Sequence, residues 1–386
     1  MSPLLQDFQS LVPWGNFFMK IVDMPINADE TDPDALEQNP WWKAKKWAYH
    51  CVFHIFSKYS NPSYNGKSGK YTQFGKAFVD SFVPTILEKY LKQVEASVNG
   101  AWLSNRVKQQ LCLFLGESVQ YKNCWNIIKP KLELILTGFI FPRFCFDNDD
   151  LELWESDPVE FIQSKLDPMK DFVTPSSAAK EFLLTLVKTR YKQTFVPIMT
   201  FIGKSLQACK SPSLEDAFKR DGALSMLITV SEYVSSAKSP VFDQLPDFLR
   251  SFVIPEFQSN FPFLRARACD VAACFAELEL SDDIMVVFRQ HLLQCLTDSA
   301  LPVKVWAARS LKPLLGHESV RESMKPNVGP VMQVLLALTN EIDMDILTEV
   351  MEQFVDDFSE ELIPFAGQLA LQLVSFSHLN ISDLYF

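Results

Sequence analysis

An all-α chain of stacked helical pairs is the architecture these 386 residues predict, and three features predict it. Glycine is scarce, at 12 residues, and alternating runs bounded by Asn-Gly or Asp-Gly turns are nearly absent, which argues against a sheet. In Trp47, Cys51, Phe53, His54 and Phe56, in Val107, Leu111, Phe114 and Leu115, and in Phe182, Leu183, Leu186 and Val187, apolar residues recur at spacings of three and four. That is the stripe a half-buried helix requires. The third feature is repetition. Leu264-Arg265-x-x-Ala268-Cys269-x-x-Ala272 recurs 39 residues on as Val303-Lys304-x-x-Ala307-Ala308-x-x-Leu311, and 43 further on, more loosely, as Ile346-Leu347-x-x-Val350-Met351-x-x-Phe354. A period near forty lies in the HEAT/armadillo range, so the expected fold is a HEAT-repeat solenoid, an α-α superhelix.

The elements follow in order. A first helix of each pair, helix A, is expected near 42–58, 102–118, 176–190, 216–235, 262–278, 302–315 and 344–358, giving about seven pairs in one solenoid segment over 1–386. Leu4 to Val22 reads as the second helix of a repeat whose first helix is missing. Helix B often opens on proline, at Pro84, Pro130, Pro197, Pro330 and Pro364, because the first helical turn has no use for the missing N–H. In helix A, small alanines allow close packing, and the Arg or Lys stem is expected to lie along the edge. Two segments interrupt the series: 26–40, polar and acidic, reads as an inter-repeat loop, and 147–175 as a longer acidic insertion with Leu151, Leu153, Trp154, Phe161 and Ile162 embedded.

Charge narrows the partners. With 36 Lys plus Arg against 47 Asp plus Glu the net charge is −11, which disfavours nucleic acid as a direct ligand and favours basic proteins. Eight scattered cysteines without CxxC pairs read as reduced core thiols of a cytosolic or nuclear protein. The N-terminus lacks the pattern of a secretory signal, and the longest apolar stretch, Leu132 to Phe146, is interrupted by Thr137, Pro142 and Arg143. No membrane insertion is expected.

Chemistry-bearing motifs are weak. His50 and His54 stand four apart beside Cys51, a spacing able to offer two imidazoles to zinc, but no third ligand follows nearby, and ordinary surface packing is the simpler reading. Gly66-Lys67-Ser68-Gly69-Lys70 has the wrong upstream residue, Asn61, for a phosphate loop and no preceding strand. No GxSxG elbow, HExxH helix or kinase series occurs, and Asp356-Asp357 and Glu360-Glu361 fall on surfaces, so neither an enzyme nor a cofactor is expected. The insertion is different: seven carboxylates between Asp147 and Glu160 create a negative field able to steer a basic partner, against the plainer reading of a solvated loop tethered by Trp154 and Phe161.

Several stretches resemble a known family. Trp42-Lys-x-Lys-Lys-Trp-Ala, Phe56-Ser-Lys-Tyr, Tyr71-x-x-Phe74, Phe82-Val-Pro-x-Ile-Leu and above all Phe144-Cys-Phe-Asp-Asn-Asp-Asp-Leu-Glu-Leu-Trp-Glu-Ser-Asp-Pro158-Val-Glu-Phe-Ile are similar to the importin seven and eight branch of the importin-β superfamily. Pro302-Val-Lys-Val-x-Ala-Ala and Pro330-Val-Met-Gln-x-Leu-Leu extend the match to nearly the whole chain. The resemblance implies a receptor for protein import into the nucleus, moving between cytoplasm and nucleus through the nuclear pore. It implies basic cargo such as ribosomal proteins and histones, release by GTP-bound Ran, and grooves between helices for the pore's phenylalanine-glycine repeats. The 32 phenylalanines would supply those grooves, though core packing accounts for most of them. The acidic insertion is similar to one in the related export receptor for importin α, where the corresponding repeat contacts Ran and influences how the solenoid opens. That likeness puts Asp147, Asp149, Asp150, Glu152, Glu155 and Asp157 forward as candidate contacts for Ran or basic cargo. Members of the family are far longer, with their main Ran surface in N-terminal repeats, so the resemblance is to an internal piece. A HEAT scaffold without a transport role is the competing reading, and response to the nucleotide state of Ran separates the two.

Overall fold

The computed structural model describes residues 8–26, 32–60, 72–166, 174–209, 211–236, 238–276 and 282–367. Among them there are helices and no strands. In chain order come α1 (Phe8–Asp23), α2 (Pro33–Gln38), α3 (Pro40–Ser60), α4 (Thr72–Ser81), α5 (Val83–Val98), α6 (Asn105–Ser118), α7 (Lys122–Ile128) and α8 (Leu132–Leu134). Next are α9 (Asn148–Ser156), α10 (Pro158–Leu166), α11 (Pro175–Ala208), α12 (Leu214–Thr229), α13 (Ser231–Val234) and α14 (Leu245–Phe248). Last are α15 (Pro262–Ala276), α16 (Asp282–Cys295), α17 (Leu301–Leu314), α18 (Glu318–Met324), α19 (Val328–Glu341), α20 (Asp345–Asp357) and α21 (Ser359–Leu362). The chain divides into two compact units, residues 1–145 with 167–201, and residues 146–166 with 202–386.

In the first unit α3 packs on α1, α4 and α6, and α5 on α6 and α7. Phe56, Tyr90 and Phe114 are almost fully buried. The Phe114 ring lies 5.0 Å from that of Phe56 and 4.7 Å from that of Tyr90. The stripes expected at 107–115 and 182–187 are buried faces, but the one expected in α3 holds only at Phe56: Trp47 and His54 are exposed and Cys51 and Phe53 half-buried, and the helix turns Ala48, Tyr49, Val52, Ile55 and Phe56 inward instead. Helix α5 ends where Gly100 takes φ +96, and the Ala101 N–H then reaches the Ala96 carbonyl at 2.9 Å, the left-handed exit that glycine makes easy. In α11 the expected turn between helices A and B is a single residue, Arg190 (φ −126, ψ 26). Its guanidinium donates to the carbonyls of Val119 at 2.9 Å and Gln120 at 3.1 Å, closing the C-terminal end of α6.

In the second unit α12, α15, α17 and α20 are successive A helices, each packed on the next. The repeat is written into their hydrogen bonds: Ser310 Oγ donates to the Cys269 carbonyl at 2.8 Å, Arg309 to Asp270 at 3.0 Å, and Lys312 to Glu349 at 2.6 Å. The basic residue of the repeated motif does more than lie along an edge. Arg265 grips Asp298 with two bonds of 2.7 and 2.8 Å, and Lys304 grips Glu341 at 2.6 and 2.9 Å. In both repeats the acid stands at the end of helix B, so the pair closes its own repeat.

The placement of proline differs from expectation. Pro84 lies in the first turn of α5, as expected, and Pro330 is the third residue of α19. Pro130 and Pro364 instead head 3₁₀ turns, Lys129–Lys131 and Ile363–Phe365, that interrupt a second helix already begun, and Pro197 lies well inside α11. A missing N–H suits a tightened turn as well as a helix start, so proline marks a break in helix B rather than always its origin. The 26–40 segment also departs from a plain loop, because Asp32 caps α2 by accepting from Asp34 N at 3.3 Å and Pro33 opens it. Residues 27–31, the Gly66–Lys70 run and residues 4–7 of the expected first helix lie outside the described residues.

Candidate partner-binding site

In the segment expected as an insertion, 147–175, the described part holds two short helices, α9 and α10, and residues 167–173 lie outside the described residues. Asp147, in extended backbone, accepts from Asp150 N at 2.9 Å and so caps α9, where Asp149 and Asp150 complement the positive end of the helix. Asp157 ends α9, and its carboxylate accepts from Glu160 N at 2.9 Å, capping α10 just before Pro158. One residue therefore stops one helix and starts the next. Lys165, near the end of α10, closes back on Asp150 at 2.6 Å.

An aromatic anchor fixes the pair to its unit. The Phe146 ring stacks on Phe263 of α15 with centroids 4.3 Å apart and planes 8° from parallel, and lies 5.8 Å from Phe218 of α12. Trp154 and Phe161 meet edge to face at 4.9 Å, both buried, and Phe161 reaches to 6.2 Å from Trp306 of α17. Three successive A helices thus share one aromatic cluster with the insertion.

A charged ladder runs beneath it. Asp221, only 1% exposed, accepts from Phe146 N at 3.2 Å and from Arg267 Nε at 2.7 Å. Arg267 also donates to Asp270 at 3.3 Å, and Asp270 accepts from Arg309 at 3.0 Å. Burial penalises the Arg267 charge, but Asp221, with Asp270 behind it, outweighs that penalty and holds the guanidinium protonated. These four residues escaped the sequence reading. The pairs are 46 and 39 residues apart, and only the repeat period itself hinted at them.

The six candidate carboxylates separate into two groups. Asp147 and Asp157 are helix caps and Asp150 is bridged to Lys165. Burial, together with the charges of Asp150 and Asp149, raises the Asp147 pKa, with the Asp150 N–H and Lys165 working against the rise. Asp149, Glu152 and Glu155 are exposed, spaced by three along α9, and make no ion pair among the described residues. They form one acidic flank.

Elsewhere, His50 and His54 stack with ring centroids 6.1 Å apart, and no cluster of three His, Cys, Asp or Glu able to hold a metal occurs among the described residues. No helix of the described residues is long and apolar enough to cross a membrane.

Helical pairs tied to one another at a forty-residue period define a HEAT-repeat solenoid. Comparison with known proteins narrows this. The family model described as Cse1 matches residues 68–311. Importin-8 of Homo sapiens is 31% identical over 383 residues, 98% of this chain and 36% of that protein. Nonsense-mediated mRNA decay protein 5 of Saccharomyces cerevisiae is 28% identical over 381 residues, covering 96% and 36% respectively. A solved structure, the exportin Cse1 in its cargo-free, cytoplasmic state, matches the fold with a TM-score of 0.72 at 16% identity, over 97% of this chain and 40% of that one. The chain belongs to the Cse1 family, within the importin-β superfamily. It spans about 36% of the length of the curated relatives it matches.

Proposed function

We propose that this chain is the part of a nuclear transport receptor that presents an acidic docking helix, α9, to a basic surface on Ran or on a basic cargo such as a ribosomal protein or histone. The observation that carries the reading is the flank of Asp149, Glu152 and Glu155, which make no ion pair among the described residues while the helix beneath them is capped at both ends and anchored in aromatic packing. Clustered carboxylates on a rigid helix make the local potential negative and attract cationic groups over about a Debye length, roughly 8 Å at physiological salt. The receptor works by binding and not by catalysis, moves between cytoplasm and nucleus, and engages phenylalanine-glycine repeats of the pore along its helical grooves.

The test compares two triple variants of the full chain. Asp149→Asn, Glu152→Gln, Glu155→Gln is expected to weaken binding to a basic cargo peptide or to Ran-GTP and to flatten its salt dependence, measured by fluorescence anisotropy. The second, Asp147→Asn, Asp150→Asn, Asp157→Asn, should leave binding closer to the parent while altering stability. Equal loss from both sets, or loss from neither, would remove the α9 flank from the mechanism. Cargo binding indifferent to Ran in both nucleotide states would favour a scaffold over a receptor.

A further inference from the structure

Far along the chain from the insertion, the first unit holds a cavity of about 320 Å³ lined by Leu36, Trp42, Lys45, Gln93, Trp102 and Leu103, among others. Its size is at the low end of ligand clefts, which run roughly 300–1,000 Å³, and is about twice the roughly 150 Å³ that holds a lone benzene, so it suits one ring carrying a short polar arm. Its wall is mixed, with Leu36, Trp42, Trp102 and Leu103 on the apolar side and Lys45 and Gln93 on the polar side. Trp42 and Trp102 meet edge to face with centroids 4.9 Å apart.

Lys45 is the charged member of the wall. It is 7% exposed, and its ammonium lies 5.3 Å from the Trp42 ring centre. One of its three N–H groups donates to the Val22 carbonyl at 2.9 Å, capping the end of α1, and it makes no ion pair among the described residues. The nearby carboxylate, Asp23, is held by Lys89. Burial lowers the Lys45 pKa, with the Asp23 charge opposing. A buried ammonium with no carboxylate bonded to it among the described residues is costly, and it stays charged at lower cost when an anion arrives with its own hydrogen-bond acceptors.

We infer that this cavity is a binding site for a carboxylate carried on an apolar body of one-ring size, the ring seated against Trp42 and Trp102 and the carboxylate accepting from Lys45 Nζ. A free aromatic acid and the C-terminal phenylalanine of a peptide offer the same chemistry. The inference is independent of the α9 reading, because it uses none of its residues.

Isothermal titration of the full chain with N-acetylphenylalanine and with its amide is the first test, since the two are nearly the same shape and differ only at the terminal group, a charged acceptor in one and a neutral amide in the other. The acid is expected to bind about tenfold more tightly or better, the scale of a charge-assisted hydrogen bond, and a short peptide ending in a free phenylalanine carboxylate tells whether a chain terminus is the preferred source. Lys45→Met, which keeps the length of the stem, is expected to abolish the preference for acid over amide. Acid and amide binding alike, neither ligand binding in any form, or the preference surviving in a folded K45M chain would each overturn the site; the acid–amide comparison on the unaltered chain decides even where K45M does not fold.

Discussion

Asp147 shows how one side chain carries two opposing effects. As a cap it stabilises α9, and as a charge crowded by burial, Asp149 and Asp150 it is held at a raised pKa. Asp147→Ala is expected to cost about 1 kcal/mol, the usual value of a lost cap, whereas Asp147→Asn keeps an acceptor and should cost almost nothing. The sign of the pH effect follows from the raised pKa. The folded state holds this proton more tightly than the unfolded chain, so the residue's titration contributes stability below the unfolded pKa and loses it as pH rises through the folded one. Asp147→Asn should therefore compare best with the parent at neutral pH and lose that advantage as the medium is acidified, which urea unfolding at several pH values checks. Ala268 and Ala307, both fully buried, make a cleaner case. A glutamate at either site would bury an unpaired carboxylate where one A helix meets the next, with a loss of several kcal/mol read as a large fall in melting temperature.

At the scale of the element, the α9–α10 pair depends on the ladder beneath it. Arg267→Met would leave Asp221 buried with the Phe146 N–H as its remaining hydrogen-bond partner among the described residues. Breaking one half of a buried pair costs about 3–5 kcal/mol, so faster hydrogen exchange is expected across α9 and α10, and unchanged protection there would separate the insertion from the ladder. The insertion was legible as acidic and aromatic, because composition is local. That it is helical was also present in the residues: Asp147 and Asp157 stand at cap positions and Trp154 and Phe161 on buried faces. A single buried aromatic per short helix is too little periodicity to announce a helix. The prolines misled in the other direction, since a missing N–H is equally at home in a helix start and in a 3₁₀ turn.

For the whole molecule, the net charge of −11 is a property of the composition, and it predicts passage through a heparin column and retention on an anion exchanger at neutral pH. Retention on heparin would point to a basic face that the reading omits. The helical class, the repeat near forty residues and the position of helix A in each repeat were set by the sequence alone, because a helix buries every third and fourth side chain and a solenoid repeats that demand at a fixed interval. Tertiary structure decided which charges are paired. Nothing local distinguishes Asp150, bridged to Lys165, from Asp149, exposed, or shows that Asp221, Arg267, Asp270 and Arg309 meet. Those assignments depend on distances between residues far apart in the chain, which packing brings about and sequence spacing does not record.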